Sequence, residues 1–143
     1  NPKNIDPYTQ NVLDEDNYVK KSLENLGLKV KRLAWDDSSF NWETTKSVLF
    51  RSTWDYFDRF QEFSIWLEKV SKITRLINSE KIIQWNLDKH YLNDLEKKGI
   101  HTIPTIYIEK GTKTTLQTIH KENNWNHTIL KPCISGGARH TTN

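Results

Sequence analysis

The chain has 143 residues, with 21 Lys and Arg against 18 Asp and Glu, for a net charge of +3. No stretch approaches the roughly 20 consecutive apolar residues of a membrane-spanning helix, and no secretory signal is visible. Cys133 is the one cysteine, which excludes an internal disulfide and points to a reducing, cytoplasmic compartment.

Residues 1–13, with Pro2, Pro7 and several Asn, read as loop. Asp14 or Asp16 is placed to cap a helix that carries Val19, Leu23 and Leu26 on one face, and Gly27 closes it. Leu28–Trp35 alternates in part and reads as a strand, and the short apolar run Ser47–Phe50 suits a strand buried on both faces. Asp58 then caps a helix with Phe63, Trp66, Leu67 and Val70 at core spacing, followed by a short strand at Arg75–Ile77. This alternation predicts an α/β fold with a mainly parallel sheet and right-handed crossovers.

The character changes near Gln84, which places a domain boundary there and separates residues 1–83 from 84–143. Asn86–Lys89 opens a helix with Leu87, Tyr91, Leu92 and Leu95 inward, ended by Gly99. Ile103–Ile108 reads as a strand with Pro104 at its start, where a missing N–H is tolerated. A helix over Thr114–Asn124, with Leu116 and Ile119 inward, leads to a strand at Thr128–Lys131. The chain then enters a loop and ends at Asn143, where a strand is expected to return.

That loop is the first candidate site. Gly136-Gly137 can offer bare backbone N–H groups to an anion, and Lys131 and Arg139 bring positive charge. A plain turn is the alternative. From Lys110 onward, five Lys or Arg face Glu122 alone, a balance that suits polyphosphate or nucleic acid alike. The same cations could activate the Cys133 thiol, although a small filler at a strand end is the plainer reading.

The second candidate is Arg51-Ser-Thr-Trp-Asp-Tyr56, directly after a strand, where open parallel sheets collect ligands. Arg51 can hold a carboxylate or phosphate in a fork, and Asp55 can accept from a substrate amine. An Arg51–Asp55 ion pair with Ser52 and Thr53 capping the loop is the alternative. Lys89 sits in the first turn of its helix, where the dipole favours an anionic ligand nearby; a surface pair with Asp88 or Asn93 is the plainer option. The histidines show neither HxxxH nor HxH spacing, so with one cysteine no zinc site is expected. Neither a Walker A sequence nor a G-x-S-x-G elbow is present.

Taken in order, Trp35-Asp-Asp37, Arg51-Ser-Thr-Trp-Asp-Tyr56, Trp85-Asn-Leu-Asp-Lys-His-Tyr-Leu92, Pro104-Thr105, Leu130-Lys-Pro132 and Ser135-Gly-Gly-Ala-Arg-His-Thr141 resemble the ATP-grasp superfamily. The resemblance is to its glutathione-synthetase-like and cycloserine-biosynthesis-like ligases. It implies that residues 1–83 are a pre-ATP-grasp, substrate-side domain lacking its first strand, and that 84–143 begin a truncated ATP-binding domain. It further implies phosphate contacts from Lys89, Lys131, Ser135, Gly136, Gly137, Arg139 and Thr141, and substrate contacts from Arg51, Ser52, Thr53 and Asp55. ATP and Mg2+ are the implied cofactors, with the magnesium ligands expected downstream of this fragment. A carboxylate and an amine-type nucleophile are the implied partners, homodimers being common among relatives. The expected reaction is ligation through an acyl phosphate, with the fragment inactive alone. A non-catalytic nucleotide- or nucleic-acid-binding module is the rival expectation.

Overall fold

The computed structural model describes residues 5–143. The chain divides into two compact units, Asn1–Glu80 and Lys81–Asn143. The fold class is mixed α/β with a small parallel sheet.

The first unit opens with helix α1, Pro7–Asn25, which begins earlier than Asp14 or Asp16 would allow. Its cap is Asp6, whose Oδ1 accepts from the N–H groups of Tyr8 and Thr9, both at 3.0 Å. Pro7 at the first helical position sacrifices an N–H that the helix end would leave unpaired anyway. The expected loop is therefore corrected from Pro7 onward, while residues 1–4 lie outside the described residues. Asp14 and Asp16 both fall inside the helix.

At the other end of α1, Leu28 N–H donates to Leu23 O at 3.2 Å and Gly27 N–H to Glu24 O at 2.9 Å. These are the two bonds of a Schellman close, and they require the left-handed φ of +82° that Gly27 adopts. Nothing lies within 4 Å of a Cβ built there. A Gly27→Ala variant therefore measures backbone strain alone, with an expected loss of about 1 kcal/mol by urea unfolding.

Leu28–Trp35 forms no ladder, so the expected strand is absent. Partial alternation does not make a strand where no neighbour supplies hydrogen bonds. The sheet consists of β1 (Ser47–Leu49) and β2 (Arg75–Ile77), parallel, with Val48 opposite Leu76. Between them runs α2, Phe60–Ser71, whose cap is Arg59 rather than Asp58, with no side-chain bond.

The α2 stripe Phe63, Leu67 and Val70 is fully buried and, with Trp35 and Leu76, forms the core of this unit. Trp35, Phe50 and Trp66 surround Phe63 at ring-centroid distances of 5.4, 6.1 and 5.7 Å. Edge-to-face and tilted pairs of this kind add to the area they bury. Trp66 Nε1 has no oxygen or nitrogen partner among the described residues, so aromatic faces are the electron-rich surface left to it.

In the second unit the helix expected from Asn86 starts later, at Tyr91, and a helix that was not expected precedes it. Helix α3 spans Glu80–Leu87 and α4 spans Tyr91–Lys97, with Asp88–His90 between them. Lys89 thus precedes α4 instead of lying in a first turn. Gly99, at φ +80°, closes α4 with the same pair of bonds as α1, to Glu96 O and Leu95 O. Helix α5, Leu116–Asn123, is capped by Thr115, whose Oγ1 accepts from Thr118 N–H, and it buries Ile119.

The strand expected at Ile103–Ile108 is not formed, and Ile103 is 83% exposed. Of the strand expected at Thr128–Lys131, one antiparallel bridge remains, Leu130 with Thr142.

Candidate functional site

In the first unit a buried carboxylate gathers the cations. Asp16 faces inward on α1 with its side chain 6% exposed. Its Oδ2 accepts from Arg32 Nε at 2.8 Å and from Ser52 Oγ at 2.6 Å, while Oδ1 receives Arg51 Nε at 3.4 Å. Burial acts to raise the Asp16 pKa, but the bonds from Ser52 and Arg32 and the charges of Arg32 and Arg51 outweigh it. The group is held below the usual carboxylate range. Arg51 also reaches Glu15 at 3.9 Å, and its half-exposed guanidinium keeps donors available to an outside anion.

The ion pair between Arg51 and Asp55 offered as the plainer reading of this loop does not form. Asp55 does not pair with Arg51; its Oδ1 accepts from Trp35 Nε1 at 2.8 Å and its Oδ2 from Arg59 Nη1 at 3.4 Å. Arg59 lies over the Trp35 ring at 4.6 Å and also binds Asp36 at 2.5 Å and Glu62 at 2.7 Å. Its own pKa is raised further by Glu62 and Asp36, so it stays a fixed cation. Thr53 is half-buried beside Ser52. Arg51 and Ser52 thus form one cluster on Asp16, and Asp55 belongs to a second, around Trp35.

Sequence reasoning missed Asp16, Arg32 and Arg59. A signal for Asp16 existed: it falls at helical spacing with Val12, Val19 and Leu23, a carboxylate on an otherwise apolar stripe.

In the second unit the structure brings Lys89 to the glycine loop. Lys89 N–H donates to Cys133 O at 3.0 Å. Its ammonium donates to Pro132 O at 2.8 Å, Cys133 O at 3.3 Å, Ser135 O at 3.2 Å and Ser135 Oγ at 3.0 Å. Tyr107 Oη donates to Lys89 O at 2.8 Å and fixes the backbone from the other side. Lys89 is thus a clamp on the root of the loop. Burial lowers its pKa, the nearby Lys131 charge lowers it further, and Cys133 and Asp88 oppose both.

Lys131 is exposed at the same root. Beyond it the chain turns through left-handed residues, Gly137 at φ +58°, Ala138 at +59° and His140 at +54°. Arg139 N–H donates to Gly136 O at 3.1 Å and Thr141 N–H to Ala138 O at 3.0 Å. The loop closes where Leu130 and Thr142 exchange bonds of 2.8 and 3.0 Å. Lys89, Lys131, Ser135 and Gly136 therefore meet at the root, and Gly137, Arg139 and Thr141 belong to the tip and its return. The Cys133 thiol is not activated: burial pushes its pKa up, with Asp88 and Glu109 adding to this against Lys89.

Residues 4–78 match the family described as the D-cycloserine synthetase DcsG N-terminal domain. The chain belongs to this family. The cycloserine biosynthesis protein DcsG of Streptomyces lavendulae is 35% identical over 92 residues, covering 64% of this chain and 31% of that protein. The crystal structure of D-cycloserine synthetase DcsG matches with a TM-score of 0.82 at 25% identity, over 91% of this chain and 45% of that one. The chain spans less than half the length of these DcsG relatives. Within the DcsG N-terminal family match lie Asp16, Arg32, Trp35, Arg51, Ser52, Asp55 and Arg59; the Lys89 clamp and the glycine loop lie beyond it.

Proposed function

We propose that this chain forms part of an ATP-dependent ligase that activates a carboxylate as an acyl phosphate and passes it to an amine or related nucleophile. The observation that carries the reading is the seating of the Lys89 ammonium on the root of the glycine loop, at the carbonyl of Pro132, the residue next to exposed Lys131. The likeness to D-cycloserine synthetase over 91% of the chain supports it. An exposed ammonium beside an anchored loop is placed to meet a polyphosphate.

In this reading Lys131 contacts a phosphate oxygen, and Ser135, Gly136, Gly137, Arg139 and Thr141 cover the phosphates. Lys89 holds the root in the shape that lets them do so. Arg51, with Ser52 and Thr53 beside it, takes the substrate carboxylate, and Asp16 holds the Arg51 fork at a fixed angle. Positioning and charge neutralisation are then the whole contribution of these residues.

Magnesium would neutralise charge on the phosphates. Among the described residues the grouping suited to a cation is Asp88, His90 and Cys133. Its sulfur and nitrogen donors do not suit magnesium, which demands oxygen. No magnesium step is therefore derived from this chain, and the proposal leaves its ligands to other parts of the ligase. The 143 residues alone are proposed to be inactive in the full reaction.

The test is calorimetric titration of Mg-ATP into the gene-length protein and its Lys131→Ala variant. Lys131 is exposed, so its contact is solvent-screened; the expected loss is about tenfold in affinity, or about 1.4 kcal/mol. Binding that ignores Lys131, or no binding by the intact protein, removes the phosphate assignment and leaves a shared fold.

A further inference from the structure

We infer that Asp88, His90 and Cys133 form a binding site for a borderline divalent cation of the zinc or cobalt type. One ligand atom from each lies within 4.8 Å of the others. The donors are an oxygen, a nitrogen and a sulfur, a set that suits zinc and cobalt and disfavours magnesium and calcium. Cys133 is 43 residues from His90, so no spacing rule could reveal the cluster.

The three ligands are held in place by contacts that do not involve a cation. Lys89 N–H to Cys133 O, at 3.0 Å, ties the cysteine backbone to the Asp88–His90 segment. The His90 ring stacks on Tyr107 with centroids 4.2 Å apart and 25° between planes. Its Nδ1 faces Asp88 Oδ1 at 2.5 Å, and its Nε2 faces Glu109 Oε1 at 3.1 Å. The far nitrogen of the ring is thus oriented by a carboxylate, the outer-shell arrangement that metal-bound histidines use to fix tautomer and direction.

Charge also favours the site. The Lys89 ammonium is engaged by the carbonyls of Pro132, Cys133 and Ser135. With Asp88 and Glu109 ionised, Cys133 a thiolate and Lys89 protonated, a dication leaves the cluster neutral. On binding with His90 neutral, the ring proton resides on Nε2 toward Glu109 and not between Nδ1 and Asp88, bonds form from the cation to Oδ, Nδ1 and Sγ, and the thiol proton passes to solvent. A tetrahedral ion then keeps a fourth position for water.

This assignment does not rest on the nucleotide reading, and its test needs no nucleotide. Co2+ is titrated into the reduced 143-residue chain while thiolate-to-cobalt absorption is followed. The expected result is a band that saturates at one ion per chain and persists in millimolar magnesium. Cys133→Ser should abolish it. His90→Phe, which keeps the stack on Tyr107, should weaken binding at least about tenfold, and Glu109→Gln should do so by a similar factor. X-ray absorption of the zinc-loaded wild-type chain supplies a readout independent of any variant's folding, with one sulfur expected at about 2.3 Å. A shell of oxygen and nitrogen alone, no thiolate band at saturation, or binding untouched by His90→Phe would overturn the site.

Discussion

Replacing Asp16 by alanine is expected to destabilise the first unit by about 3 kcal/mol, the lower end of the range for breaking a buried ion pair. The carboxylate is 6% exposed and serves Arg32, Arg51 and Ser52 together, so its loss strands three donors. The two guanidiniums are 50% and 43% exposed and can rehydrate, which keeps the cost from rising further. Asp16→Asn retains the shape and one acceptor oxygen and should cost about half as much.

The pH dependence follows from the sign of the shift. Asp16 has a folded pKa below its unfolded value, so its contribution is present above the unfolded pKa of about 3.9 and is lost as pH falls through the folded one. Urea midpoints measured from neutral to strongly acid pH should therefore fall less steeply in Asp16→Asn than in the wild type. Parallel acid limbs, or an alanine variant as stable as wild type, would mean that water already satisfies these guanidiniums.

The second large effect is expected at Lys89. Its ammonium has three N–H donors directed at four acceptors, all on the Pro132–Ser135 segment. Lys89→Met keeps most of the stem and removes the charge, leaving three carbonyls to find water; a loss of about 2–3 kcal/mol in the second unit follows. Lys89→Arg should recover little of it, because a planar fork cannot fan onto acceptors spread around a single point. Denaturation monitored at Trp85 or Trp125 reads the change. This experiment separates the two lysines: Lys89 variants lose stability without nucleotide, whereas Lys131→Ala should show its effect only when Mg-ATP is present. A Lys89→Met protein of unchanged stability would show that the loop root holds itself.

The parts of this fold that were legible in the sequence were those with strong local chemistry. The Phe63, Leu67 and Val70 stripe, the strands Ser47–Leu49 and Arg75–Ile77, and the closing glycines at 27 and 99 formed where residue type and spacing put them. Ser47–Leu49 is not buried on both faces as expected, however, since its edge residue Leu49 stays 43% exposed. Errors arose where local signals competed or where a partner had to be assumed. Asp6, Asp14 and Asp16 are all plausible caps, and the choice fell to Asp6 because Pro7 fits the first helical position. Ile103–Ile108 has strand composition, yet no neighbour offers it a ladder among the described residues.

The same division holds for the candidate sites. The positions of Arg51, Ser52, Asp55, Lys89 and Lys131 could be picked out from residue types, but their partners could not. Asp16 meets Ser52 across 36 positions and Lys89 meets Ser135 across 46. Bonds of that span are properties of the tertiary fold, and no periodicity encodes them.

The Leu130–Thr142 pair has a consequence for how such a protein can diversify. Lys89 holds the root of the loop at Pro132–Ser135 and the Leu130–Thr142 bridge closes it, so exchanges at the tip beyond Ser135 need not disturb the helices. Selection can then retune what the tip touches by trial of single residues while the anchoring lysine and the closing bridge stay fixed.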